Sequence, residues 1–302
     1  MHVKAEALIP VHRGIYVPGD AWTSASPDAR YLAKIRGVVQ ASAAPAVISH
    51  LSVAAMHELP LVRPWPERVH VLTPGALGGS SSRLIRSHRE IRPVDTEVVD
   101  GITVTSLPST LADVAIAYPL DVSVPMLDHA LHRAGDEGRA ESLMDGVWIA
   151  RHLRGRVRGG AQADRAISFA SRLAESPGES LSRVLIQRGG FARPDLQRSV
   201  LVEGRRNRVD FAWPGVIGEF DGRVKYLREQ YRGGRTPDRV AWDEKRREDA
   251  IRMATGCTFV RWGFEELHDP IRLWNRLNAA RVPRPHPPTP LRARPNRSGT
   301  PS

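Results

Sequence analysis

The stretch Arg208-Val-Asp-Phe-Ala-Trp-Pro-Gly-Val-Ile-Gly-Glu-Phe-Asp-Gly222 limits what this chain can fold into more than any other. Val209, Phe211 and Trp213 alternate with Arg208, Asp210 and Ala212. Val216, Gly218 and Phe220 alternate with Ile217, Glu219 and Asp221, and in both runs the period is that of a β-strand. Pro214-Gly215 between the runs is turn chemistry, because proline presets φ and glycine accepts φ > 0. With these two residues as the loop, Trp213 pairs with Val216, and counting back along the antiparallel ladder sets Asp210 opposite Glu219. Asp221 follows two residues later and points to the same face. Like charges facing each other across a sheet repel, so a chain that keeps them there is expected to compensate with a cation or to gain function. Three oxygen donors on one face suit a hard divalent ion, Mg²⁺ or Mn²⁺, with part of its water kept for phosphate chemistry.

An Asp, a spacer of eight residues and then Glu-x-Asp resembles the PD-(D/E)XK nuclease superfamily. From Glu175 to Leu277 the chain resembles, more closely, the family of unknown function related to very-short-patch-repair endonucleases. The matching runs are Glu175-Ser-Pro-Gly-Glu179, Pro194-Asp-Leu-Gln197, Val209-Asp-Phe211, Glu219-Phe-Asp-Gly222, Glu244-Lys-Arg-Arg-Glu-Asp249 and Val260-Arg-Trp262. The resemblance implies a restriction-endonuclease-like fold and metal-dependent hydrolysis of phosphodiester bonds, with Asp210, Glu219 and Asp221 around the ion. It also implies that Gln197 neighbours the acidic site and the nucleic acid. Where the superfamily has a lysine two positions after the acidic residue, this chain has Asp221. Lys225, Lys245 and Arg247 are the cations in line to take over the stabilisation of charge at phosphorus.

Two helices flank the hairpin. Ser176-Pro-Gly-Glu179 is a capping box, which gives Glu179 a structural role beside the metal-site role implied by the resemblance. In the helix expected over 238–255, stepping by turns from Val240 gives Glu244, Arg247, Ile251 and Ala254. Charges on a buried stripe are paired or functional, so Glu244 and Arg247 are expected to face the sheet near the acids, with Arg246 and Asp249 in solvent. Cys257 to Trp262 is apolar on both faces, the pattern of a central strand.

Upstream, an Asp100-Gly101 hairpin, a helix from about 26 to 41, a strand over 68–73 and a helix opened by Pro108 describe an α+β domain. The runs Gly14-Ile-Tyr-Val17, Ile48-Ser-His-Leu-Ser-Val-Ala-Ala55, Val69-His-Val71 and Thr105-Ser-Leu-Pro-Ser-Thr-Leu-Ala-Asp113 resemble AbiEi-type antitoxin or regulator proteins. Those proteins open with a winged helix-turn-helix, for which the residues before Arg13 are too few, so the expectation is either a true start upstream or a lost module. Arg83, Arg86, Arg89 and Arg92 recur at every third position, either as a track for phosphates or as a solvated basic face. His50, His57 and His70 have no metal-ligand spacing and read as satisfied or surface histidines.

The expected organisation is therefore an α+β domain over 1–160, a restriction-endonuclease-like α/β domain of a mixed sheet flanked by helices over 161–280, and a disordered Pro/Arg-rich tail over 281–302. The net charge of +11 favours a polyanionic partner, DNA first. The tail's five arginines without an acid supply less than half of that charge. The single cysteine, Cys257, excludes a disulfide framework, and no apolar run reaches membrane-span length. Together these features lead to the expectation of a cytoplasmic Mg²⁺-dependent endonuclease in a toxin–antitoxin or defence setting, with a cognate toxin or antitoxin as protein partner. The alternative is a non-catalytic nucleic-acid-binding, antitoxin-like regulator on a degenerate nuclease fold.

Overall fold

Residues 8–12, 14–42, 45–74, 81–90, 94–222 and 237–289 are described by a computed structural model. The chain divides into two compact units, 1–177 and 178–302. No helix among the described residues is long and apolar enough to cross a membrane.

The first unit opens with a two-stranded antiparallel ribbon, β1 (Leu8–His12) and β2 (Ile15–Pro18), followed by α1 (Gly19–Ser24) and α2 (Pro27–Ala41). Ser26 caps α2 by accepting from the Ala29 N–H, and Pro27 occupies the first turn, where its missing donor costs nothing. After β3 (Val47–Ile48) and α3 (His50–Met56) come β4 (Val69–Pro74), β5 (Ile85–Glu90), β6 (Thr96–Val99) and β7 (Ile102–Thr105). They complete a mixed five-stranded sheet of order β5-β4-β3-β7-β6. The expected Asp100-Gly101 hairpin forms: Val99 pairs with Ile102, and both turn residues have φ > 0, at 51° and 75°. Tyr31 and Ile35 of α2 and Val53 of α3 pack with Ile48, Val69 and Val104 of this sheet. Helix α4 (Leu107–Ala117) then packs on α5 (Leu120–Asp136), α6 (Ala140–Leu153) and α7 (Gly160–Phe169). Because α7 packs on α4, α5 and α6, it belongs to the first unit, and the expected boundary at 160/161 moves to 177/178.

The second unit is built on α8 (Pro177–Arg188), the meander β8 (Asp195–Val202), β9 (Arg205–Trp213) and β10 (Val216–Phe220), then α9 (Pro237–Thr255), β11 (Thr258–Trp262), α10 (Phe264–His268) and α11 (Pro270–Ala279). Its mixed four-stranded sheet has the order β11-β10-β9-β8, with only the β10–β11 pair parallel. Helices α8 and α11 contribute Leu185, Ile186, Leu273 and Leu277 to a core with Phe211, Trp213 and Trp262. Ile251 of α9 packs with Val209, Ala212 and Ile217. Each such buried side chain is worth about 2 kcal/mol of transfer free energy. Covered in this way, every residue of β10 is buried.

Two further expectations are corrected here. The 257–262 segment contains β11, which stands at the edge of the described sheet and not at its centre; α9 and α11 both meet it, so its apolar side chains are covered as a central strand's would be. The tail begins as ordered chain: Val282 is 4% exposed, Pro283 O accepts from Ala192 N, and the His286 and Thr289 N–H groups donate to Gly190 O and Arg188 O. Backbone hydrogen bonds to the end of α8 hold this Pro/Arg-rich segment, whose composition alone argues against a core. Residues 290–302 lie outside the described residues.

Candidate functional site

The hairpin at the centre of the second unit has the expected register. Trp213 pairs with Val216, Ala212 with Ile217 and Phe211 with Gly218, across a two-residue turn in which Gly215 has φ 73°. Continuing that ladder by one step sets Asp210 opposite Glu219. Asp210 Oδ2 accepts the Phe220 N–H at 2.9 Å, which ties the carboxylate to the end of the neighbouring strand.

Glu179, in the first turn of α8, is also drawn in. Gln197 of β8 donates from Nε2 to Glu179 Oε2 at 2.9 Å, and Gln197 itself adopts φ 50°. A non-glycine residue held in the left-handed region stores about 1–3 kcal/mol of strain and persists only where its surroundings demand it. Gly178 allows α8 to reach this position, since a Cβ there would stand 2.0 Å from the Phe220 ring. Burial, reinforced by the Glu179 charge, pushes the Asp210 carboxyl up to about 7, while the Phe220 N–H and Arg247 work in the opposite sense.

Glu219 is 7% exposed and both of its oxygens are engaged: Arg247 of α9 reaches Oε1 at 3.0 Å, and Arg261 of β11 reaches Oε2 at 2.9 Å. Arg261 also meets Glu248 at 3.2 Å and Glu244 at 3.5 Å. Arg247 and Glu244 thus face the sheet as the helical stripe predicts, and Arg246 and Asp249 are exposed.

Glu179, Gln197, Asp210, Glu219 and Arg247 are therefore brought together. Asp221 lies past the last residue of β10, and its backbone N–H donates to Trp262 O. Lys245 is exposed on α9, and Lys225 lies outside the described residues. Sequence reasoning missed Arg261 and Glu248. The available sign was an arginine inside an apolar strand, at the position the parallel register sets against Glu219.

Arg83, Arg86 and Arg89 are exposed in the first unit, but Arg86 and Arg89, three apart on edge strand β5, project to opposite faces and do not form one row. The histidine reading is corrected as well. Despite their irregular spacing, His50 and His70 meet His88 in a cluster whose ligand nitrogens all lie within 4.8 Å of one another. Among the described residues this is the one set of three or more His, Cys, Asp or Glu that converges so tightly.

No protein-family model, curated protein or solved structure matches this chain.

Proposed function

We propose that the second unit is a metal-dependent phosphodiester hydrolase acting on nucleic acid, with DNA as the first candidate substrate. The observation that supports this most is the crowding of Glu179, Asp210 and Glu219, with Asp210 pushed up to about 7 by burial and by Glu179. A carboxyl whose proton affinity is raised this far by burial and a neighbouring acid occupies a place where a divalent cation would relieve the same repulsion. The donors are carboxylate oxygens, the chemistry that Mg²⁺ and Mn²⁺ prefer. In this reading Asp210 and Glu219 hold the ion, with Glu179 beside them. When bound, it polarises a phosphoryl oxygen and lowers the pKa of water.

The chain's own groups do the rest. The Phe220 N–H fixes one oxygen of Asp210, and Gln197 fixes one of Glu179, so both acids are oriented before substrate arrives. Arg247, a third exposed and at the rim of the acids, is the cation placed to meet a phosphate. The formal charge of +11 draws a polyanion to the protein.

The test is cleavage of labelled single- and double-stranded DNA and RNA in Mg²⁺ or Mn²⁺, with Asp210→Asn and Glu219→Gln proteins alongside. Loss of metal-dependent cleavage by at least 100-fold in both variants supports the hydrolase. A second reading, a non-catalytic nucleic-acid-binding regulator with a toxin or antitoxin partner, is favoured by one observation: both Glu219 oxygens already carry arginine partners. Salt-sensitive DNA binding without cleavage, unchanged by either substitution, would select that reading.

A further inference from the structure

The first unit holds a polar cluster that the acidic site does not use. His50 begins α3, His70 lies in β4 and His88 in β5. Three backbone relationships bring them together. β4 and β5 run parallel with Leu72 paired to His88, so His88 sits diagonally from His70 on one face of the sheet. Ser49 N donates to His70 O at 3.0 Å, which seats the start of α3 beside β4. His50 follows immediately, with φ 51°.

The rings are stacked closely. The centroids of His50 and His88 are 3.7 Å apart and those of His70 and His88 4.9 Å apart, while His88 Nε2 and His70 Nδ1 are separated by 2.9 Å. His50 Nδ1 is engaged with Ser49 Oγ at 3.1 Å, which leaves Nε2 as the nitrogen available to a ligand. A hydrogen bond of this kind, to the nitrogen not used for ligation, is how metal-binding imidazoles are oriented.

We propose that His50, His70 and His88 form a three-histidine site for a transition-metal dication of the zinc type, with the fourth position left for water or an external ligand. Two Zn–N bonds of about 2.05 Å at a tetrahedral angle place their nitrogens about 3.3 Å apart. His70 Nδ1 and His88 Nε2 need to part by only a few tenths of an ångström from their present 2.9 Å. Imidazole donors prefer zinc, copper or nickel over Mg²⁺, so the site is chemically distinct from the carboxylates of the second unit.

Access and charge agree with this assignment. His70 and His50 are buried, whereas His88 is only half-buried and gives the ion a path from solvent. Burial favours the neutral form of all three rings, and the proton shared between His88 Nε2 and His70 Nδ1 must leave these nitrogens when an ion takes its place. The cations nearby are Arg86, exposed on the same strand as His88, and Arg154, whose charge is balanced by Asp113.

The experiment titrates the chelator-stripped full chain with Co²⁺ alone, following the visible absorption of tetrahedral cobalt, and then displaces it with Zn²⁺. One tetrahedral ion per chain is expected from the intense visible bands, which Co²⁺ held by carboxylate and water oxygens does not give. His88→Ala should lose at least the 10- to 100-fold in affinity that even an outer partner of a metal ligand supplies. The Asp210→Asn/Glu219→Gln protein should bind as the wild type does. If His88→Ala does not fold by circular dichroism, His88→Gln takes its place and should weaken binding in the same way. Absence of Co²⁺ and Zn²⁺ binding by the folded wild type, or binding lost only when Asp210 and Glu219 are changed, overturns the assignment. The first result leaves the hydrolase reading untouched and the second favours it, so the two readings fail separately.

Discussion

Arg261 sits directly across the parallel β10–β11 ladder from Glu219 and donates to its Oε2 at 2.9 Å. The same guanidinium faces Glu244 and Glu248, Arg247 engages the second oxygen of Glu219, and Arg252 reaches Glu248, so three arginines meet three acids. Replacing Arg261 by methionine keeps the aliphatic bulk and removes the charge. We expect a stability loss of about 2 kcal/mol, between the ~0–1 of exposed pairs and the ~3–5 of fully buried ones, measured by urea unfolding. On the hydrolase reading Arg261 competes with the metal for Glu219, and the same variant should then bind Mn²⁺ more tightly than the wild type in calorimetric titration. Unchanged or weaker Mn²⁺ binding would count against a metal role for Glu219.

The Asp210 carboxyl, raised from 3.8 to about 7, makes metal-free stability depend on pH. The native state holds this proton more tightly than the unfolded chain does. Its contribution is therefore complete below about pH 4 and is lost as pH rises to about 7. Asp210→Asn removes this dependence. Its stability relative to the wild type should grow by up to about 4 kcal/mol across that window and stay level above it, as unfolding curves at several pH values would show. A constant difference from acid to neutral pH would contradict the burial of this carboxyl.

Gly178 lies under the Phe220 ring, and an added methyl would meet that ring at 2.0 Å. Phe220 is itself packed edge-on against Phe264, with centroids 5.1 Å apart, so it has little room to yield. Gly178→Ala should cost about 1–3 kcal/mol through overpacking and should displace the neighbouring Glu179. A variant that keeps wild-type stability and wild-type metal binding would show that α8 is not held against β10 by this contact.

Arg154 and Asp113 form a two-bonded ion pair in the first unit, at 2.7 and 3.0 Å, with side chains 13% and 8% exposed. Arg154→Met leaves a carboxylate buried, and burial already pushes the Asp113 carboxyl upward. The expected loss is ~3–5 kcal/mol, and Asp113→Asn/Arg154→Met should recover a large part of it in thermal unfolding. No recovery in the double variant would mean that Arg154 acts through other partners.

Local chemistry was readable in the residues, and long-range placement was much less so. Pro214-Gly215 and Asp100-Gly101 each form the turn their dihedral preferences dictate, and the hairpin register, which one further step carries to Asp210 and Glu219, follows from strand period and loop length together. The helical stripe of α9 likewise placed Arg247 correctly. What escaped was decided by contacts between distant segments. Arg261 looked like an oddity of an apolar strand because its partners lie on β10 and α9. His50, His70 and His88 meet through strand order, which spacing along the chain does not encode. The segment 282–289 is ordered by backbone hydrogen bonds to α8, to which its composition is blind.

The order in which the second sheet can assemble follows from its turns. Glu203-Gly204 and Pro214-Gly215 join β8, β9 and β10 by two-residue loops, so Asp210 and Glu219 face each other as soon as the meander closes. Arg261, 42 residues beyond Glu219, arrives only when β11 docks in parallel after α9. Closing that longer loop is the slower step, and until it happens the two carboxylates repel without their neutralising partner. Refolding of the wild type should therefore be faster in mild acid than at neutral pH, and Asp210→Asn should refold at neutral pH as fast as the wild type does in acid. The repulsion between Asp210 and Glu219 thus acts, during folding, as a kinetic barrier that a proton can lower.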